Sequence, residues 1–211
     1  MVTFLPFKGY RPRLAAGEKI ESRISPPYDV IGDEYLKQLQ AQPGNVTNLT
    51  LSPDADKRYT KSRKLLDEMI AQGGLLPDTP SFYVYDQTFT SRGKEYRRRG
   101  LVGILKTEEY SEGHIIPHEE TFSKVKADRL NLLRDMETHL ESIFGIFPGL
   151  GDELNRKVEN NIRLCARYVD KDGVEHRYSR LADEAICKEI TEKLKDQNML
   201  IADGHHRYET A

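Results

Sequence analysis

The sequence predicts an α+β fold, a mixed sheet with hairpins flanked by helices. Three observations carry this. Two pairs of aromatic and β-branched runs each enclose a short polar turn containing glycine, the pattern of a β-hairpin. Several other stretches repeat apolar residues at three- and four-residue spacing, the pattern of an amphipathic helix. Hairpins and helices are interspersed rather than strictly alternating, which disfavours a regular doubly wound sheet.

Residues 1–32 are loop-rich, with Pro6, Pro12, Pro26 and Pro27. "GDEYLKQLQA" (32–41) reads as a short helix capped by Asp33. A longer helix is expected from Pro53 and Asp54 to Gly73-Gly74, with Tyr59, Leu65, Leu66, Met69 and Ile70 as its apolar stripe. "SFYVYDQTF" and "YRRRGLVGIL" flank "TSRGKE" as the first hairpin. Residues 125–141 read as a helix with Leu130, Leu133 and Met136 on one face. "RLCARYV" and "VEHRYSRL" around "DKDG" form the second hairpin. "DEAICKEITEKLKDQ" spaces Ile186, Ile190 and Leu194 four apart, an amphipathic helix leading into a strand at 199–202 that should lie inside a sheet with both faces buried.

The 211 residues suffice for one large domain or two small ones. With no internal repeat and no low-complexity linker, a single α/β domain over 1–211 is expected. A net charge of −2 gives no global field toward DNA, RNA or anionic lipid, so neither nucleic acid nor membrane is an expected partner. The N-terminus lacks the ~7–15-residue apolar core of a signal peptide, and no run approaches the ~18 residues that span a bilayer. A cytoplasmic protein is therefore expected, with Cys165 and Cys187 as buried apolar thiols that match no metal or redox spacing.

Three stretches could carry chemistry. In "SPPYDVI" (25–31) two prolines stiffen the approach to Tyr28 and Asp29, which can present a phenol and a carboxylate at a cleft or simply make a rigid turn. In "IIPHEETFSKVKADR" (115–129) His118 and Glu119 suggest a metalloprotease pair, but Phe122 stands where the second histidine would be needed. What remains is a general base or a ligand for a phosphate-carrying divalent ion, with Lys124, Lys126 and Arg129 to neutralise charge; the plain alternative is a helix start with a solvated basic face. The basic tip "SRGKEYRRRG" (91–100) reads as a solvated, edge-protecting cluster, because only Tyr96 is available to interleave with its cations.

The third stretch is "NMLIADGHHRYETA" (198–211), which reads as strand, glycine turn and helix start. Gly204 lets the backbone approach a ligand, the next amides carry the partial positive charge of a helix N-terminus, and Arg207 adds a fork suited to phosphate. His205 and His206 are further donors, and Asp203 would face away, bind a metal or orient a histidine. A helix this short is marginal alone, so 205–211 is expected to be weakly structured.

In this order and at this spacing, "SPPYDVI", "HEETFSKVKADR" and "ADGHHRYETA" closely resemble the DUF1015 family, of unknown function, and the likeness extends to "LPFKGYRP" and "YVYDQTF". Members of that family continue through a helix after the last motif, so the resemblance implies that the chain is the N-terminal part of a longer protein. The Asp-Gly-His-His-Arg element also resembles the ParB/sulfiredoxin superfamily, in which such a turn cradles nucleotide phosphates and some members, such as the ADP-dependent free serine kinase, phosphorylate a small hydroxyl substrate. That likeness implies Gly204, His205, His206 and Arg207 as a cradle for ATP or ADP with Mg²⁺. On chemistry alone, Glu119 or Asp29 is then the base, with His118 beside it and Lys124 or Lys126 neutralising charge. Two other readings stay open: a nucleotide-sensing module without turnover, and a metal-dependent hydrolase built on His118, Glu119, Asp203 and His205.

Overall fold

The computed structural model describes residues 1–52, 54, 58–121 and 123–211, with the side chains of all of these except 123–125. Its strands are β1 (Phe4–Leu5), β2 (Tyr10–Pro12), β3 (Leu75–Pro77), β4 (Phe82–Ser91), β5 (Lys94–Val102), β6 (Ile104–Leu105), β7 (Ile115–Ile116), β8 (Phe144–Ile146), β9 (Arg163–Val169), β10 (Glu175–Leu181) and β11 (Met199–Asp203). Its α-helices are α1 (Asp33–Gln40), α2 (Thr47–Thr50), α3 (Thr60–Ala71), α4 (Ser123–Met136), α5 (Asp152–Asn161), α6 (Glu184–Lys195) and α7 (His205–Thr210). The class is α+β. The chain divides into two compact units, the first built from 1–9, 77–118 and 145–202, the second from 10–76, 119–144 and 203–211.

The first unit is organised on a four-stranded antiparallel sheet in the order β5-β4-β10-β9, two hairpins laid side by side. Ser91 faces Lys94, so the first turn is the two-residue Arg92-Gly93, both left-handed at φ 51° and 74°. That conformation matches the right-handed twist of the flanking strands. In the second turn the Asp170 carboxylate accepts from the amides of Asp172 and Val174, a local bond that closes the loop.

Alternation gives this sheet two different faces. On one, Phe82, Val84 and Leu181 are fully buried, and the buried Ile186, Ile190 and Leu194 of α6 and Val158 of α5 belong to the same unit. Asp86 is also buried on this face and is held by Arg97 and Arg99, which reach on to Glu159 of α5. Burial would raise the Asp86 carboxyl, but the hydrogen bonds from Arg99 and Arg97 outweigh it and hold the group below the usual carboxylate range. The basic tip is therefore not a uniformly solvated cluster, since two of its arginines turn toward buried charge. Asp183 caps α6 by accepting from the Ile186 amide at 2.9 Å. Cys187 is buried, which pushes its thiol up, whereas Cys165 is only half-buried.

β11 is the middle strand of a three-stranded sheet, β7-β11-β8, and runs parallel to β7 with Met199 opposite Ile115. The strand expected at 199–202 is present and internal. Its burial is one-sided: Met199 and Ile201 are inside, while Leu200 is 38% exposed.

The second unit is mainly helical, with the two-stranded β2–β3 ribbon. Leu49, Tyr59, Leu66, Leu132 and Met136 form its core, with Leu65, Met69 and Ile70 packed against them, so the stripe read for α3 faces inward. Three boundaries differ from expectation. Asp33 is in the first turn of α1 and Gly32 holds the cap position. The described part of the third helix starts at Thr60; Pro53 lies outside the described residues, as do 55–57. α4 stops at Met136 because Glu137 turns left-handed at φ 48°, where Arg63 binds both the Met136 carbonyl and the Glu137 carboxylate. On α4 the buried face is Arg129, Leu132 and Met136, with Leu130 and Leu133 beside it half-buried. Residues 205–210 are helical rather than weakly structured, because His205 and Tyr208 are buried and α7 packs along α4.

Candidate functional site

The second unit draws together parts of all three chemical stretches. Pro27 holds an extended φ,ψ of −52° and 143°, and Tyr28–Val30 then make one 3₁₀ turn. The Tyr28 ring lies under the Arg129 guanidinium, 4.5 Å from its centroid. Arg129 is buried, donates to Asp128 at 2.5 Å and to the Tyr59 hydroxyl at 3.4 Å, and lies 3.5 Å from Glu141. Burial alone would lower its affinity for the proton, but the carboxylates of Asp128 and Glu141 reverse that and hold it charged. Burial pushes the Tyr28 phenol up; Arg129 and Arg207 pull it down, and Asp29 and Glu141 add to the rise.

At the start of α7 the chain turns through Gly204 at φ 88°, a conformation that favours glycine. His205 follows, fully buried, with Nδ1 2.9 Å from a Glu119 carboxylate oxygen, while the Glu119 side chain is 52% exposed. Arg207 folds back beside the turn, donating to Asp203 at 2.5 Å and to the Ser142 carbonyl at 2.6 Å. Further along α7, Glu209 accepts from Thr121 at 2.6 Å and from Lys126 at 3.0 Å. The arrangement is one solvent-facing carboxylate close to a buried imidazole, with two cations of the same unit that each hold a carboxylate.

Comparison with known families identifies the chain. The model described as "Protein of unknown function (DUF1015)" matches residues 4–211. The chain belongs to the DUF1015 family. No curated protein and no solved structure matches it significantly, and the ParB/sulfiredoxin likeness of one element finds no support in these comparisons.

Of the residues expected to act in this DUF1015 chain, Glu119, Lys126, Gly204, His205 and Arg207 belong to the second unit, where Glu119 meets His205, and His206 follows His205 in α7, half-buried. Asp29 is exposed on its 3₁₀ turn. The side chain of Lys124 lies outside the described residues. His118 belongs to the first unit, whose last residue before the crossing to Glu119 it is, and its Nδ1 donates to the Ile201 carbonyl at 2.6 Å. Sequence reasoning missed Ser142 and Glu209, which act through a carbonyl and through pairing with distant Thr121 and Lys126. It also passed over Glu108, Glu112 and His114, whose ligand atoms lie within 4.8 Å of one another in the first unit and could hold a divalent ion. The close spacing of these three residues was the available signal.

Among the described residues, no helix is long and apolar enough to cross a membrane.

Proposed function

We propose that this chain binds a nucleotide, ATP or ADP with Mg²⁺, in the second unit and transfers phosphoryl to the hydroxyl of a small metabolite, with Glu119 as general base. One observation carries the reading: an exposed Glu119 carboxylate 2.9 Å from the imidazole of a fully buried His205. The contact is one of distance: Nδ1 of His205 and the Glu119 carboxylate are close but not aligned for a hydrogen bond. The carboxylate beside the imidazole stays open to solvent, and a general base needs that access. Phosphoryl transfer otherwise asks for positioning and charge neutralisation. Arg207 and Lys126 supply the cations, and Gly204 supplies the left-handed turn against which Arg207 packs. The donor set fits a phosphate on one condition: Arg207 must exchange Asp203, and Lys126 must exchange Glu209, for the incoming anion.

The same paired cations favour a second reading, a nucleotide-responsive switch in which ligand binding replaces internal ion pairs without turnover. The hydrolase reading would require Asp203 to leave Arg207, which it holds at 2.5 Å.

Glu119→Gln tests the leading reading, with calorimetry for ATP and ADP in Mg²⁺ and a product assay over small hydroxyl metabolites. Affinity within a few-fold of the parent with turnover lowered roughly 10²-fold or more supports a base. Binding without product in the parent chain selects the switch. Unchanged turnover in the variant makes Glu119 a positioning residue at most.

A further inference from the structure

The sheet face turned away from the buried Asp86 carries a chain of side chains that the proposed function does not use. Tyr85 on β4, Tyr168 on β9 and His176 on β10 lie on it, with Asp170 at the end of the neighbouring turn. All belong to the first unit. His176 is 7% exposed, its Nδ1 is 2.6 Å from the Tyr85 hydroxyl, and its Nε2 is 2.9 Å from an Asp170 carboxylate oxygen. Its ring stacks on Tyr168 at 4.4 Å and on Tyr85 at 5.8 Å, so it is held on both sides.

The hydrogen bonds have one direction. The bond from His176, together with those from the Val174 and Asp172 amides, holds the Asp170 carboxyl below its usual range, so it is ionised and accepts. Nε2 therefore carries the imidazole hydrogen and Nδ1 accepts the one on Tyr85. The Tyr168 hydroxyl donates in turn to the Tyr85 oxygen, and Arg98 is near enough to favour negative charge there. Burial pushes the Tyr85 phenol up, so it stays protonated at neutral pH and needs a base to react. A base, a group that orients the base, and two stabilisers of the developing phenolate are all in place. Nucleophile, base and orienter within hydrogen-bond reach is the arrangement of an activated nucleophile.

We propose that Tyr85 is a base-assisted nucleophile, a second chemical site in the first unit, that takes an acyl group from small activated esters. The Tyr85 oxygen attacks the acyl carbon and forms the new O–C bond. The bond from that carbon to the leaving oxygen breaks, and its electron pair departs with the leaving group. The phenol proton passes to Nδ1 of His176, and the imidazolium is balanced by Asp170 until the proton returns to the leaving group or to water.

The test uses the whole 211-residue chain and p-nitrophenyl acetate, with nitrophenolate release followed optically and the acetyl group located by peptide mass spectrometry. Tyr96 is the internal standard, because it is 44% exposed on the same face and has the better access. The expected result is acetylation of Tyr85 about 10²-fold faster than of Tyr96, with a rate that levels off well before the phenol range near ~10 instead of climbing through it. His176→Gln should lower the Tyr85 rate about 10²-fold and leave Tyr96 unchanged, and Tyr85→Phe should abolish that acetyl group. Should His176→Gln fail to fold, Tyr168→Phe keeps the base and removes one stabiliser, and a loss of about tenfold or more at Tyr85 is then expected. Labelling of Tyr85 no faster than Tyr96, or a rate that still climbs through the phenol range, overturns the proposal and leaves the chain of bonds as a support for the second hairpin.

Discussion

The guanidinium of Arg207 occupies the space that a side chain on Gly204 would need. A β-carbon there would come within 2.8 Å of Nη2 and 2.9 Å of Nε of Arg207, and the backbone is left-handed at φ 88°. Two independent constraints therefore act on one glycine, and only the contact can relax by movement of a flexible side chain.

This separates two variants. Gly204→Ala should lower stability by about 1–3 kcal/mol, seen as a lower urea midpoint at unchanged slope. Gly204→Asn should cost less in backbone strain, since asparagine tolerates the left-handed region better, while meeting the same arginine. If alanine is accepted within ~0.5 kcal/mol, the turn does not depend on positive φ and the local account of α7 fails.

Asp86 sets an acid limit on the first unit. Its folded carboxyl titrates below its unfolded value because Arg99 and Arg97 outweigh the effect of burial. A depressed carboxyl contributes stability that is fully present above the unfolded value near ~3.9 and is lost as pH falls through the lower folded value. The expected outcome is an acid limb beginning below about pH 4 that is shallower in Asp86→Asn, together with lower stability at neutral pH because Arg97 and Arg99 lose a buried partner. Equal acid limbs in urea titrations of parent and variant would assign the limb to other carboxylates.

Much of this was legible in the sequence, for identifiable reasons. The Arg92-Gly93 turn, the turn that opens at Asp170 and the Ile186, Ile190 and Leu194 stripe are local signals, and both hairpins and α6 follow from them. Helix ends were less legible: α4 stops at Glu137 because Arg63, distant in sequence, holds the last carbonyl and the next carboxylate there. The meeting of Glu119 with His205 was implied only as membership of one site, because their contact depends on α7 packing along α4. The pairing of Lys126 with Glu209 had no signal at all, since a basic helix face and an acidic helix end are each ordinary surface. The division into two units was equally hidden, since each is assembled from three separate segments and no linker marks the crossings.

The last prediction concerns Asp203, whose carboxylate holds Arg207 at 2.5 Å while itself 62% exposed. If the proposed anion site uses Arg207, this carboxylate competes with the phosphate for the same guanidinium. Asp203→Asn removes the competing charge and keeps the shape. A charge-assisted hydrogen bond is worth about 1.5 kcal/mol or more, so nucleotide affinity without Mg²⁺ should rise roughly tenfold. Mg²⁺ separates the two roles Asp203 could have. A carboxylate that only blocks Arg207 gives the same gain with and without the ion. A carboxylate that moves from Arg207 to the ion as phosphate arrives gives a gain without Mg²⁺ and a loss with it, because the ion then lacks a ligand. Calorimetric titration of parent and variant with ATP and with ADP, each with Mg²⁺ and with a chelator, reads both signs. Unchanged affinity in all four titrations would mean that Arg207 does not meet the phosphate, and the pair with Asp203 would then be a support for the turn at Gly204 alone.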